Sequence, residues 1–178
     1  MTDRRPATEA EARALASAVR LRILRLCLDT PRTNKEIAER LSANPASVLH
    51  HVRTLVETGF LTALPVRRGT RGSRERPYLA TGKSWTLSME DSGVAGGGNA
   101  MIEAFLDEVR LVDPDQAGLT RLGLRLTEKQ YEELRARVGE ILDEYAARPP
   151  DPDGRAYSVF LAMYEDVSRG DVRPPAAS

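Results

Sequence analysis

The sequence predicts an α+β fold built in two parts, and three observations carry that prediction. Three capping boxes, Thr8–Glu11, Thr33–Glu36 and Thr127–Gln130, each mark a helix start, because the paired side chains satisfy orphan backbone N–H groups reciprocally. Two β-type runs flank a glycine-containing loop in the first half of the chain. Charge is segregated: residues 1–85 hold 16 Lys and Arg against 8 Asp and Glu, whereas residues 86–178 hold 10 against 18.

The elements follow in order. Thr8 and Glu11 open a helix with Leu15, Val19, Ile23 and Leu26 along one face, and Cys27 beside that stripe as a small core residue. Asp29-Thr30-Pro31 ends it. Thr33 and Glu36 open a short second helix whose apolar face is Ile37, Ala38 and Leu41. Asn44-Pro45 reads as an N-cap followed by proline at the first helical position, where its missing N–H costs nothing. The third helix runs to Thr58 with Val48, Val52 and Leu55 inward, and Gly59 closes it because glycine takes the left-handed conformation freely. Strands are expected at Phe60–Val66 and Glu75–Ala80, joined through Gly69-Thr70-Arg71-Gly72-Ser73. Three helices, the last two joined by a tight turn, followed by a hairpin, make a winged helix-turn-helix over residues 1–85.

Gly93 and Gly96-Gly97-Gly98 mark a linker over residues 86–98. The C-terminal unit, residues 99–170, reads helix–strand–helix–strand. Met101, Ile102, Phe105, Leu106, Val109 and Val112 have helical spacing. Leu122, Leu124 and Leu126 alternate with Gly123 and Arg125 as in a half-buried strand. The third capping box starts a helix to about Ala147 with Tyr131, Leu134, Val138, Leu142 and Tyr145 inside, stopped by Pro149-Pro150-Asp151-Pro152. A last strand is expected at Tyr157–Met163, and residues 171–178 form a disordered tail. So small a unit is expected to complete its core by dimerising or by docking on the first helix.

Composition narrows the function. With 41% hydrophobic and 29% charged residues the chain is an ordinary globular protein. No run approaches the roughly 18 apolar residues of a membrane helix, and the Arg- and Glu-rich N-terminus has no signal-peptide core. One cysteine excludes an intramolecular disulfide framework. A cytoplasmic protein without membrane contact is expected. The C-terminal half offers no cysteine, no histidine and no phosphate-binding glycine loop. Its densest acidic group, Glu132, Glu133, Glu140, Asp143 and Glu144, is a solvated helix face, so an enzyme is not expected.

A basic half points to a polyanion. In a helix-turn-helix the third helix enters the major groove, where its N-terminal residues meet base edges. Its outward positions are Ala46, Ser47, Leu49, His50 and Arg53. Arg53 suits guanine O6 and N7, Ser47 and His50 donate or accept, and Ala46 and Leu49 suit thymine methyl groups. The N-terminus capped by Asn44 has backbone N–H groups suited to a phosphate. The wing carries Arg67, Arg68, Arg71, Arg74 and Arg76, poor core residues and good phosphate ligands. The tandem His50-His51 points in directions about 100° apart and makes no metal site. No metal and no cofactor are expected.

Three runs carry a family resemblance. They are Val19-Arg20-Leu21-Arg22-Ile23-Leu24, then Thr33-Asn34-Lys35-Glu36-Ile37-Ala38-Glu39-Arg40-Leu41, then Pro45 to Leu55 with Glu57-Thr58-Gly59-Phe60-Leu61. Over residues 10–85 the chain resembles ArsR-type winged-helix regulators. The resemblance implies a homodimer on double-stranded DNA, at an operator with dyad symmetry, acting as a repressor released by a signal. Metal-sensing members place cysteines, or histidines with carboxylates, where this chain has no cluster. Leu49 stands where many relatives carry serine, so operator preference does not transfer. The C-terminal unit is extra to the minimal family fold.

The alternative is an effector-binding or protein-interaction module whose helix-turn-helix contacts DNA weakly or non-specifically. Six of the nine aromatic residues (Phe105, Tyr131, Tyr145, Tyr157, Phe160, Tyr164) lie beyond the linker. A small apolar effector seated between this unit and its dimer mate would be its ligand.

Overall fold

Each capping box begins a helix in the computed structural model, which describes residues 4–69, 72–89 and 93–169. The chain divides into two units, Thr2–Asp113 and Pro114–Ser178.

In the first unit, the Thr8 hydroxyl accepts from Glu11 N–H and the Glu11 carboxylate accepts from Thr8 N–H, opening α1 at Glu9–Leu15. The single first helix expected from the sequence is two helices. Ser17 adopts an extended conformation (φ −150°, ψ 118°), and α2 spans Ala18–Leu26. The Arg20 guanidinium folds back and donates to the carbonyls of Ala14 and Arg13, satisfying the end of α1 that the break exposes. The break shifts the phase of the apolar stripe. Leu15 and Ile23 stay buried, Val19 is left 38% exposed, and Leu24 joins the core.

A two-residue strand β2 (Arg32–Thr33) leads into α3 (Asn34–Leu41), and Ser42 turns the chain in the left-handed region at φ 50°. Asn44 caps α4 (Pro45–Glu57), its side-chain oxygen accepting from Ala46 N–H at 2.8 Å. At the other end Gly59 N–H donates to Val56 O and Phe60 N–H to Leu55 O, with Gly59 at φ 75°. Those two bonds are the Schellman closure anticipated from glycine at this position. Ile23, Ile37, Val48, Val52, Leu55, Phe60 and Leu61 form the centre of the core.

The expected hairpin is present but interrupted. Strands β3 (Leu61–Ala63) and β6 (Pro77–Ala80) pair antiparallel with Thr62 opposite Leu79. Beyond them β4 (Arg67–Arg68) and β5 (Arg74–Glu75) pair with Arg67 opposite Glu75. Pro65 and Pro77 lie at the interruptions, and a proline nitrogen has no hydrogen to donate to a ladder. Thr70 and Arg71 lie outside the described residues. Two pairings were not legible in the sequence. β2 adds to β6 as a third strand, and β1 (Arg5–Pro6) lies parallel to β7 (Leu87–Ser88).

A linker was expected at residues 86–98. In the structure β7 occupies part of that stretch, and α5 already begins inside the glycine run, spanning Gly97–Val109. Ala100 and Ala104 are buried where α5 packs on α1 and α2. Arg22 pairs with Asp107 at 3.2 Å and Arg25 with Glu108 at 3.1 Å, fastening α2 to α5. The helix expected to open the C-terminal unit therefore belongs to the first unit, and the division falls after Asp113.

The second unit contains α6 (Glu128–Ala146), capped by Thr127 and Gln130 as expected. Of the side chains expected inside, Tyr131, Leu134, Val138 and Leu142 are only half-buried. None of its residues is buried, and Tyr145 is 62% exposed. The strands expected at Leu122–Leu126 and Tyr157–Met163 do not form ladders among the described residues. A strand exists only through a partner's backbone groups, and neither run has a ladder partner here. The tail expected at 171–178 lies outside the described residues. No described helix is long and apolar enough to cross a membrane.

Candidate nucleic-acid interface

Helix α4 is amphipathic in the sense the third helix of a helix-turn-helix requires. Val48, Val52 and Leu55 are buried on one side, while Ala46, Ser47, His50 and Arg53 are exposed on the other. Residues 46, 50 and 53 are spaced i, i+4, i+7 and so share a face. Leu49, expected with them, is half-buried, and Asn44 is exposed with its side chain turned onto its own helix. Asn34 Nδ2 donates to Pro45 O at 2.8 Å, so α3 holds the first turn of α4 directly.

His51 lies half-buried, its ring 5.8 Å from that of His50. Burial, reinforced by the Arg20 and His50 charges, pushes its pKa below the ordinary histidine value and favours the neutral ring. His50 thus faces out and His51 inward, as the 100° step between neighbours requires.

The wing places Arg68 directly opposite Arg74. Both are exposed, and neither has an ion-pair partner among the described residues. Like charges directly opposite each other weaken a two-stranded pair. Arg67, at the base, pairs with Glu36 at 3.2 Å, while Glu36 also accepts from Thr33 N–H at 2.6 Å. The Thr33 backbone bond, with the Arg67 and Arg32 charges behind it, holds the Glu36 carboxyl below the usual carboxylate range. One carboxylate therefore caps α3 and anchors the wing. Arg71 lies outside the described residues, and Arg76 is exposed on the wing's shoulder.

A second anchor was invisible to sequence reasoning. The carboxylate of Glu11 is almost fully buried and binds Arg5 at 2.6 Å, Lys83 at 2.6 Å and Thr8 N–H at 2.8 Å. Arg5 first, then Lys83 and Thr8, hold its pKa far below the carboxylate range against the opposing effect of burial. Lys83 also donates to Thr58 O at 2.6 Å, and its ammonium lies 5.1 Å from the Phe60 ring centroid. The C-terminus of α4 is thereby tied to α1. The capping box identified Glu11, but nothing local indicated that Lys83 would meet it.

Burial pushes the Cys27 thiol up to about 11, so it stays protonated and serves as core. Among the described residues no group of three His, Cys, Asp or Glu side chains is placed to hold a metal ion.

Comparison with known proteins agrees with the geometry at the level of the domain. A helix-turn-helix domain family matches residues 15–62. No curated protein matches the chain. Among solved structures, reduced HlyU from Vibrio cholerae shares 19% identity over 53% of this chain and 81% of that one, with a TM-score of 0.32. ZitR from Lactococcus lactis in complex with DNA shares 18% identity over 72% and 74%, with a TM-score of 0.33. The multiple antibiotic-resistance repressor MarR from Listeria monocytogenes shares 19% identity over 79% and 83%, again at 0.33. The family match and the capped, tightly joined pair α3 and α4 together make residues 15–62 a helix-turn-helix domain.

Proposed function

We propose that the protein is a sequence-specific DNA-binding transcriptional regulator, a dimeric repressor that reads a palindromic operator through α4 and its arginine wing. The observation that carries this reading is the opposed pair Arg68 and Arg74 in the same unit as an exposed Ser47–His50–Arg53 face. A cross-strand arginine pair costs stability in isolation and is relieved by a polyanion, which a phosphate backbone supplies. Base reading then falls to Ala46, Ser47, Leu49, His50 and Arg53, with Asn44, Arg67, Arg68, Arg71 and Arg74 near phosphates. Dimerisation is supported by α5. Its alanines are buried, while Met101 and Ile102 on its other side are 52% and 49% exposed.

The test is selection from a random duplex pool, followed by titration of the winner against scrambled DNA at two salt concentrations. The expected winner is palindromic, with half-sites about one helical turn apart, and is held at least about a thousand-fold tighter than scrambled DNA. Equal, salt-sensitive binding to every duplex would overturn sequence-specific regulation and leave a non-specific DNA binder.

A further inference from the structure

We propose that the groove between α2, α3 and α5 binds a small amphipathic anion, an aliphatic monocarboxylate whose tail covers the groove's leucines and whose carboxylate meets Arg40. The site lies wholly within the first unit and stands independently of the DNA reading.

The first ground is the wall. The groove has a volume of about 230 Å³, below the roughly 300–1,000 Å³ of sites for drug-sized ligands, so its occupant is small. Leu26 of α2, Leu41 of α3 and Leu111 just beyond α5 line it, and its wall is mostly apolar. Leu26 and Leu41 are half-buried and Leu111 is 79% exposed, so apolar surface is left uncovered where these helices meet. The second ground is the frame. Along this groove the ion pairs Arg22–Asp107 and Arg25–Glu108 fasten α2 to α5, so the site is formed before a ligand arrives. A preformed site loses little affinity to ordering.

The third ground is charge, which selects the occupant. Arg22, Arg25 and Arg40 line the groove against a single carboxylate, Glu108. Glu108 already faces Arg25, and Asp107 behind it is shared by Arg22 and Arg110. Arg40 is exposed in the last turn of α3 and makes no ion pair or hydrogen bond among the described residues. The helix dipole favours a cation there but occupies none of its donors, and a guanidinium suits a carboxylate bidentately. A neutral apolar ligand would leave Arg40 unused, and an inorganic anion would leave the leucines uncovered. A dianion would meet Glu108 with its second charge. A monocarboxylate with a short alkyl tail matches all three features.

The test is a methyl NMR titration of the full chain with octanoate. The controls are 1-octanol, which keeps the tail without the charge, and acetate, which keeps the charge without the tail. Octanoate is expected to shift the Leu26 and Leu41 methyl signals saturably and to bind at least about tenfold tighter than either control, since the charge-assisted hydrogen bond and the tail's burial each contribute that much. Arg40→Gln changes an exposed position and leaves the core untouched. It is expected to weaken octanoate by at least about tenfold and to leave 1-octanol unchanged. Octanoate and 1-octanol binding alike, or octanoate binding Arg40→Gln as tightly as the parent, overturns the site. So does the absence of shifts at Leu26 and Leu41, including the case in which shifts are confined to the exposed Leu122, Leu124 and Leu126.

Discussion

Replacing Glu11 with glutamine removes one charge from the Arg5–Glu11–Lys83 cluster while keeping a side chain able to accept from Thr8 N–H, so the capping box survives. What is lost is the carboxylate's attraction for two cations. The Glu11 side chain is 8% exposed and that of Lys83 27%, so the pair is shielded from solvent, and breaking it leaves a partly buried ammonium with Thr58 O and the Phe60 ring as its remaining contacts but no counter-charge. Removing one member of a buried pair typically costs 3–5 kcal/mol, and the residual exposure of Lys83 sets the expectation at about 3 kcal/mol. For a unit of this size that is a fall of about 10 °C in the unfolding midpoint. The pH dependence has a definite sign. Because the folded carboxyl is held below its unfolded value of about 4.3, its contribution is complete above that value and is lost as pH falls toward the folded pKa. The gap between parent and Glu11→Gln should therefore be full at neutral pH and close progressively below about pH 4.5. Adding Lys83→Met to Glu11→Gln should restore part of the loss, since the stranded charge is gone. Circular-dichroism melts of the three proteins between pH 7 and pH 3 decide it. A Glu11→Gln midpoint unchanged at pH 7, or a gap that stays constant into acid, would refute the reasoning.

Three further outcomes are expected. Ser42 sits at φ 50° without being glycine, so Ser42→Gly should raise stability by about 0.5–1 kcal/mol in urea titration, and a loss of stability would contradict the strain. Alanine at Arg68 and Arg74 should weaken binding to every duplex and flatten the salt slope, whereas Arg53→Ala should cost about 1–3 kcal/mol at particular bases; fluorescence titration at several salt concentrations separates the two. Cys27 is fully buried and its thiol is pushed up to about 11, so Ellman's reagent should label it only after unfolding, with a rate that tracks denaturant.

The division between what was legible and what was not follows the range of the forces involved. Helix starts are local events: a Thr and a Glu or Gln three residues apart satisfy each other's backbone, and all three boxes form where the sequence places them. The turn at Gly59 and the buried face Val48, Val52 and Leu55 are equally local. The break at Ala16-Ser17 was missed because no glycine or proline marks it. Arg20, reaching back to two carbonyls, satisfies the helix end from outside it.

The sequence by itself determined the helix-turn-helix, the arginine-bearing hairpin and the outward positions of Ala46, Ser47, His50 and Arg53 on α4, though not the half-buried Leu49, because capping, periodicity and proline geometry act within a few residues. Only the tertiary structure decided that Glu36 anchors the wing, that Glu11 and Lys83 tie α4 to α1, and that α5 belongs to the first unit. Those are contacts between residues distant in sequence, where a charge finds its partner through packing, and no local pattern records which partner it will be. The two strand-patterned runs of the C-terminal unit show the same limit from the other side. Alternation specifies a face, but a strand needs a neighbour's hydrogen bonds, and those come from outside the run itself.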